Sequence, residues 1–161
     1  MRRTFSPHKG FTLIELLVVI SIIGLIATLA SVALKNSRIK ARDTRRLADM
    51  KQLHSAMELC LDANGGSYTT PTQCCYGWAG GRDKVFECAV AQSGLMTSMP
   101  NIAKLKDPSD VPTTDCAGSN PTPCEYTFAA APVTTAYTVR FFLEGPGGAS
   151  GNRTLTQIGI Q

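Results

Sequence analysis

The sequence predicts an α+β protein in which one long N-terminal helix packs on a small antiparallel sheet. Three observations lead to this prediction. An apolar stretch at 11–34 continues into a segment without glycine or proline, strand-like segments alternate with turns near the C-terminus, and six cysteines occur between positions 60 and 124. With 161 residues, the chain has room for about one domain, and disulfides would strengthen a core of this size.

Residues 1–10 form a polar, basic leader ahead of the apolar segment 11–34. Ser6, Pro7 and Gly10 are poor helix formers. The apolar segment has 24 residues, and a helix of that length spans about 36 Å, enough to cross a bilayer. A secretory signal peptide has a shorter apolar core of about 7 to 15 residues. We therefore expect a cleaved leader followed by a transmembrane helix.

The next segment, 35–62, is predicted to continue the same helix with an amphipathic pattern. No glycine or proline occurs between Ala27 and Ala63, so the helix should reach about Leu61. A mostly apolar stripe recurs for the most part every three or four residues, at Leu34, Arg38/Ile39, Leu47, Met50, Leu53/His54, Met57 and Cys60/Leu61. The charged residues, Arg46 among them, are expected on the other faces of the helix. The apolar stripe therefore needs a packing partner.

The rest of the chain divides into a cysteine-rich region, 63–124, and a C-terminal sheet, 125–161. Asn64, Gly65 and Gly66 are typical of a helix C-terminus. The cysteine-rich region should be mostly loops, with one short helix at 84–92 that continues toward Met99. Strands are predicted at 125–129, 136–143 and 154–160, separated by proline and glycine clusters. An antiparallel sheet packed on the helix stripe would bury both apolar surfaces.

The cysteines are even in number, which indicates disulfides and an oxidising compartment. They are Cys60, Cys74, Cys75, Cys88, Cys116 and Cys124. Six cysteines allow 15 pairings. Proximity favours Cys116 with Cys124, and Cys60 with either Cys74 or Cys75, the other one joining Cys88. No CxxC pair occurs, so no metal site is predicted.

Glu15 is a carboxylate within the apolar segment, where a charge costs a few kcal/mol and usually has a function. No basic residue lies in that segment. Cleavage after Gly10 would give Phe11 a new amino group, which could pair with Glu15 of an adjacent subunit. The alternative is that Glu15 reaches water at the end of the helix.

Charge and motifs exclude several functions. The net charge of +4 falls to +1 without the leader residues Arg2, Arg3 and Lys9, so the basic pI does not predict nucleic-acid binding. His54 is expected to be a packed or surface residue, and no GxSxG, HExxH, GxxxxGK or GxGxxG motif occurs. We therefore predict neither an enzyme nor a cofactor, and the loops lack the carboxylate cluster that calcium requires.

The stretch KGFTLIEL at 9–16 resembles the class III signal of type IV pilins and the related type II secretion pseudopilins. Looser similarities extend to 41–43, 47–53, 64–68 and 106–108. The resemblance implies that a prepilin peptidase cuts after Gly10 and methylates the new N-terminus of Phe11. It also implies that Glu15 assists assembly by meeting a neighbour's N-terminus.

The resemblance implies a structural function. The chain would be stored in the cytoplasmic (inner) membrane, then built into a homo-oligomeric helical filament, an extracellular pilus, by an assembly platform and its motor. Direct contact with nucleic acid is not expected. The alternatives are a type II secretion pseudopilin, or a minor or tip pilin that acts as an adhesion module.

The sequence departs from the family pattern at one position in the apolar helix. Many members have a proline at the twenty-second mature residue, which is Val32 here, while Gly24 keeps the upstream glycine. Because valine keeps the helix hydrogen bond that proline removes, we expect a straighter helix that opens, if anywhere, near Gly24.

The distribution of basic residues disagrees with the membrane orientation that the resemblance implies. Six Lys or Arg follow the apolar segment between Lys35 and Arg46, and three precede it. The positive-inside rule would then place the C-terminus in the cytoplasm. The resemblance places it outside, and the cysteines favour that orientation.

Overall fold

The computed structural model describes residues 10–69, 74–75, 84–89, 93–109, 114–116, 122–129, 132–145 and 150–161. In these ranges the helices are α1 (Leu13–Ala63) and α2 (Gly94–Ser98), and short 3₁₀ helices lie at Val85–Cys88 and Ile102–Lys104. The strands are β1 (Thr127–Phe128), β2 (Thr138–Leu143), β3 (Gly151–Thr156) and β4 (Gly159–Ile160). The predicted α+β class is confirmed.

The chain divides into two compact units, Met1–Ser37 and Arg38–Gln161. In the first unit, every described residue is exposed, although the segment is strongly apolar. Helix α1 is long and apolar enough in this part to cross a membrane. The second unit contains the hydrophobic core, and we call it the head.

Helix α1 ends where the glycine pair predicts, two residues beyond the expected Leu61. Gly65 and Gly66 adopt φ angles of 65° and 89°, which glycine adopts without a steric penalty. The Gly66 N–H donates to the Leu61 carbonyl at 2.8 Å. The last turn of the helix is thereby closed by backbone hydrogen bonds of the Schellman type.

The core of the head forms between the stripe of α1 and one face of the sheet, as the sequence predicts. The buried α1 residues are Arg46, Met50, Leu53, Ala56, Met57 and Cys60. The same core cluster contains the sheet-region residues Tyr126, Phe128, Tyr137, Val139, Phe141 and Leu155. On β2, Phe142 belongs to a second cluster with Cys116 and Cys124. Helix α1 therefore packs on Val139 and Phe141 of β2, and the Cys116–Cys124 pair packs on Phe142.

The sheet is antiparallel, with strand order β1-β2-β3-β4, and it corrects the predicted strand limits. The predicted strand 125–129 is shorter, and 136–143 begins at Thr138. The predicted strand 154–160 is wrong as a single strand, because β3 turns back into β4 at 157–158. Gly159 has a φ of 113°, and the Thr156 hydroxyl accepts a hydrogen bond from the Ile158 N–H at 3.3 Å. Both features favour a turn there.

The predicted helix 84–92, continuing toward Met99, is also wrong as a single element. The chain forms the 3₁₀ helix Val85–Cys88 and the separate helix α2, and residues 90–92 lie outside the described ranges. The Val85 N–H donates to the Tyr126 carbonyl at 2.9 Å, and Lys84 forms a bridge with Thr127. These backbone bonds to the sheet region compete with a regular α-helix.

Candidate assembly site

Glu15 lies in the first turn of α1, where it forms a capping box with Thr12. Its Oε2 accepts hydrogen bonds from the Thr12 N–H at 2.9 Å and the Thr12 hydroxyl at 2.7 Å. The Glu15 N–H donates back to the Thr12 Oγ1 at 3.3 Å. Sequence reasoning missed this partner, although T-x-x-E before an apolar run is the usual signature of such a cap. Within one subunit the carboxylate is therefore held against its own helix N-terminus.

The residues predicted for cleavage, methylation and helix flexibility lie close to Glu15 in sequence. Gly10 and Phe11 precede the helix and are exposed. Gly24 lies within α1, and a Cβ built on it would meet nothing within 4 Å. Among the described residues, no contact requires glycine at this position.

The six cysteines form three disulfides in the head. Cys60 pairs with Cys74, Cys75 with Cys88, and Cys116 with Cys124. Of the two partners that the sequence leaves open for Cys60, the structure has Cys74. The adjacent cysteines 74 and 75 thus connect the last turn of α1 to the 3₁₀ helix at Val85–Cys88. Among the described residues, no group of three or more His, Cys, Asp or Glu is arranged to hold a metal ion.

Arg46 lies in the core of the head, which corrects the expectation that the charged residues of α1 occupy its other faces. Its side chain is 0% exposed. The Nε and Nη2 atoms donate to the two carboxylate oxygens of Asp107 at 2.7 and 2.9 Å. The Nη1 atom lies 2.7 Å from both Asp43 and Glu144. The sequence does carry a signal, because Arg46 is four residues before Met50 and thus lies on the apolar stripe.

The carboxylates around Arg46 join α1 to the end of β2. Arg42 also binds Glu144, through Nε at 2.7 Å and through Nη2. Asp43 accepts hydrogen bonds from the backbone N–H groups of Glu144, at 2.9 Å, and Gly145, at 2.8 Å. Hydrogen bonds from Arg42, supported by Arg46, hold the pKa of Glu144 below its usual value despite partial burial. Burial lowers the pKa of Arg46, but its carboxylate partners outweigh this effect and raise it overall.

A second cluster of polar side chains lies around His54. Its Nδ1 lies 2.7 Å from the Tyr137 hydroxyl, so the imidazole is engaged in packing between α1 and the sheet region. The Tyr137 ring contacts the Tyr68 ring edge to face, with centroids 5.2 Å apart. The Tyr68 hydroxyl donates to Glu58 at 2.9 Å. Burial raises the pKa of both tyrosines. These contacts are structural in character.

Comparison with known proteins first identifies the class of the N-terminal segment. Residues 6–31 match the family described as the prokaryotic N-terminal methylation motif. The matched range includes Gly10, Phe11 and Glu15, together with most of the exposed apolar helix. The chain therefore carries the type IV pilin signal.

The particular relatives are fimbrial proteins of Dichelobacter nodosus. One type IV major fimbrial protein FimA is 36% identical over 76 residues, 47% of this chain and 46% of FimA. Another FimA is 39% identical over 56 residues, 35% of each chain. A probable minor fimbrial protein is 42% identical over 60 residues, 37% of this chain and 36% of the relative. The chain is thus homologous to type IV major fimbrial protein FimA, but it spans less than half the length of these relatives. No solved structure matches it.

Proposed function

We propose that this chain is the structural subunit of a type IV pilus filament. The observation that carries the proposal is the coincidence of the methylation motif, at residues 6–31, with an apolar helix whose described residues are all exposed. An apolar helix without cover inside its own chain needs lipid or other subunits around it. The homology to FimA supports the same function.

Processing would convert a membrane-stored precursor into an assembly-competent subunit. A prepilin peptidase removes the leader 1–10 by cutting after Gly10, and the amino group of Phe11 is methylated. Segment 11–34 anchors the precursor in the cytoplasmic membrane. The head, Arg38–Gln161, lies on the outer side, where three disulfides can form and persist.

Assembly would exchange one apolar environment for another. The segments 11–34 leave lipid and pack on one another, so the hydrophobic free energy changes little, and an assembly platform with its motor can drive the process in either direction. Head-to-tail contacts between subunits do not close into a ring and therefore produce an open filament.

Glu15 has the geometry to bind a neighbouring N-terminus during this exchange. Both hydrogen bonds from Thr12 end on its Oε2. Among the described residues, Oε1 accepts no hydrogen bond, so it can accept one from the Phe11 amino group of an adjacent subunit. Glu15 thereby keeps its own helix cap while gaining an intermolecular ion pair.

This function requires no catalysis, and we assign none. His54 bonds to Tyr137, and the carboxylates of Asp107 and Glu144 bind Arg46 and Arg42. The cysteines are all paired among the described residues. These described side chains are thus engaged in holding the head together.

Intact mass spectrometry of fibres sheared from the cell surface, without reductant, tests the proposal. The expected species is Phe11–Gln161 with one added methyl group and the mass deficit of three disulfides. Recovery of the uncleaved chain with free thiols, in the membrane fraction alone, would contradict the proposal. A copy number near one per filament would instead indicate a minor pilin; two of the similar proteins are described as probable minor fimbrial proteins.

A further inference from the structure

Five of the basic residues of α1 fall into two groups with different surroundings. Arg42 and Arg46 bind carboxylates within the head. Lys35, Arg38 and Lys40, which we call the basic collar, are exposed, and none of them has an ion-pair partner among the described residues. The sequence alone does not separate these groups, since all five residues are cations in one amphipathic segment.

The basic collar directly follows the apolar segment, which ends at Leu34. A helix rises about 1.5 Å per residue, so Lys40 lies about 9 Å beyond that end. The polar headgroup layer on each side of a bilayer is about 5 to 8 Å thick. Long Lys and Arg side chains can reach back toward it. A subunit anchored through segment 11–34 therefore places all three cations at the level of the lipid headgroups.

We propose that the basic collar binds the phosphate groups of anionic phospholipids in the leaflet next to the head. The inference rests on the proposed function, because it requires a membrane-stored subunit. Clusters of Lys and Arg beside a membrane helix attract anionic lipids, and the attraction falls off within a Debye length of the surface. Neighbouring lipid phosphates supply the counter-charge that the collar lacks in the described part of the chain.

Such lipids also account for the excess of basic residues after the apolar segment. The positive-inside rule disfavours translocation of a basic flank. Of the six Lys or Arg at 35–46, Arg42 and Arg46 are neutralised by head carboxylates. Arg45 interacts with the carboxylate of Asp49, whose pKa burial raises and the charge of Arg45 lowers. Anionic headgroups neutralise the remaining three. The outward orientation then leaves no uncompensated cluster at the membrane surface.

Electron spin resonance on the full chain in phosphatidylcholine bilayers tests the proposal. A trace of spin-labelled phosphatidylglycerol or phosphatidylcholine reports which lipid is enriched in the motionally restricted layer around the protein. We expect phosphatidylglycerol to be enriched, and the enrichment to fall severalfold toward one in Arg38→Gln/Lys40→Gln and in high salt.

The matched control is Lys51→Gln/Lys104→Gln, which removes the same charge at exposed positions. Lys51 is about 26 Å of helix beyond Leu34, and Lys104 lies in the 3₁₀ helix Ile102–Lys104. Because both are remote in sequence from the apolar segment, the control should keep the enrichment of the unmodified chain. If both variants lose the phosphatidylglycerol enrichment equally, the enrichment depends only on the net charge of the protein, and the proposal is overturned.

The remaining outcomes separate this proposal from the proposed function. Restricted lipid without enrichment of phosphatidylglycerol overturns the basic collar as a lipid site and leaves the membrane-stored subunit intact. Absence of any restricted lipid contradicts the membrane-stored subunit itself. If the collar variant keeps the lipid enrichment but loses binding to duplex DNA in a gel-shift assay, the collar is a nucleic-acid surface and the proposal is wrong.

Discussion

Arg46 of helix α1 and Asp107 of the loop after the second 3₁₀ helix form a buried, bidentate ion pair across 61 residues of sequence. The two nitrogen–oxygen distances are 2.7 and 2.9 Å, and the side chains are 0% and 1% exposed. Asp107 also accepts from Ser109, and its N–H donates to Glu125 at 3.2 Å. This pair holds the helix, the loop and the start of the sheet region in one arrangement.

Arg46→Met should destabilise the head by about 3–5 kcal/mol, because it leaves Asp107 buried without its counter-charge. Denaturant unfolding of the full chain in detergent, followed by circular dichroism, measures the change. The exposed Arg38→Gln should cost little. Arg46→Met/Asp107→Leu should recover part of the loss, since it removes both charges. If Arg46→Met is as stable as Arg38→Gln, the structural role of the Arg46–Asp107 pair is contradicted.

The stability of the head should decline in acid, in part through Glu144. Its pKa is lower in the folded protein than its usual value, chiefly because Arg42 donates hydrogen bonds to it. A carboxylate of this kind stabilises the fold above its unfolded pKa of about 4.3, and the stabilisation is lost as the pH falls through the lower folded value.

Glu144→Gln should therefore melt at a lower temperature than the unmodified chain at pH 7, with a smaller difference near pH 3. Thermal unfolding across this range provides the measurement. Asp62→Asn, at an exposed position, serves as the control and should follow the unmodified chain. Parallel pH profiles for Glu144→Gln and the unmodified chain would show that Glu144 contributes no acid sensitivity.

The Cys60–Cys74 disulfide should stabilise the head mainly by restricting the unfolded chain. Its sequence separation is 14, and that of Cys116–Cys124 is 8. Loop entropy assigns about 3 kcal/mol to the first and about 0.5 kcal/mol less to the second. Alanine pairs at each site, compared by denaturant unfolding, measure both. A reductant that leaves the unfolding midpoint unchanged would contradict this expectation.

Glu15→Leu should leave a subunit that inserts into the membrane but produces few surface filaments. The substitution removes the carboxylate proposed to bind the neighbouring Phe11 amino group, while the apolar segment remains long enough to span a bilayer. Sheared fibres and membrane fractions are quantified by immunoblotting. Ser31→Ala, a polar-to-apolar change in the same segment, is the control. Normal filament yield from Glu15→Leu would rule out the pairing.

Gly24→Ala should make the apolar helix less prone to local opening in the assembled filament. The added methyl group meets no atom of this chain, and alanine favours a helix over glycine by about 1 kcal/mol. Hydrogen exchange of filament amides around residue 24 should slow. Ala30→Gly, the reverse change at an exposed position, should speed exchange around residue 30. If amide hydrogen exchange is unchanged in both variants, the apolar helix does not open locally near Gly24.

Local patterns were sufficient for the larger elements of this fold. The absence of glycine and proline from Ala27 to Ala63 predicts the length of α1, and its three-to-four-residue apolar spacing predicts the packed stripe. Alternation of apolar residues predicts β2. The predictions of the short strands were less accurate, because a two-residue strand such as β4 depends on its partner strand: Leu155 pairs with Ile160, and Thr156 with Gly159.

The sequence by itself determined the N-terminal signal, the long helix and the class of protein, since each depends on residues that are neighbours along the chain. The tertiary structure decided which cysteine joins Cys60 and which cations of α1 are neutralised. Arg38 and Arg46 have the same side chain on the same helix, yet one is exposed and the other is fully buried. Their difference comes from Asp107 and Glu144, carboxylates far along the chain that only folding brings to Arg46.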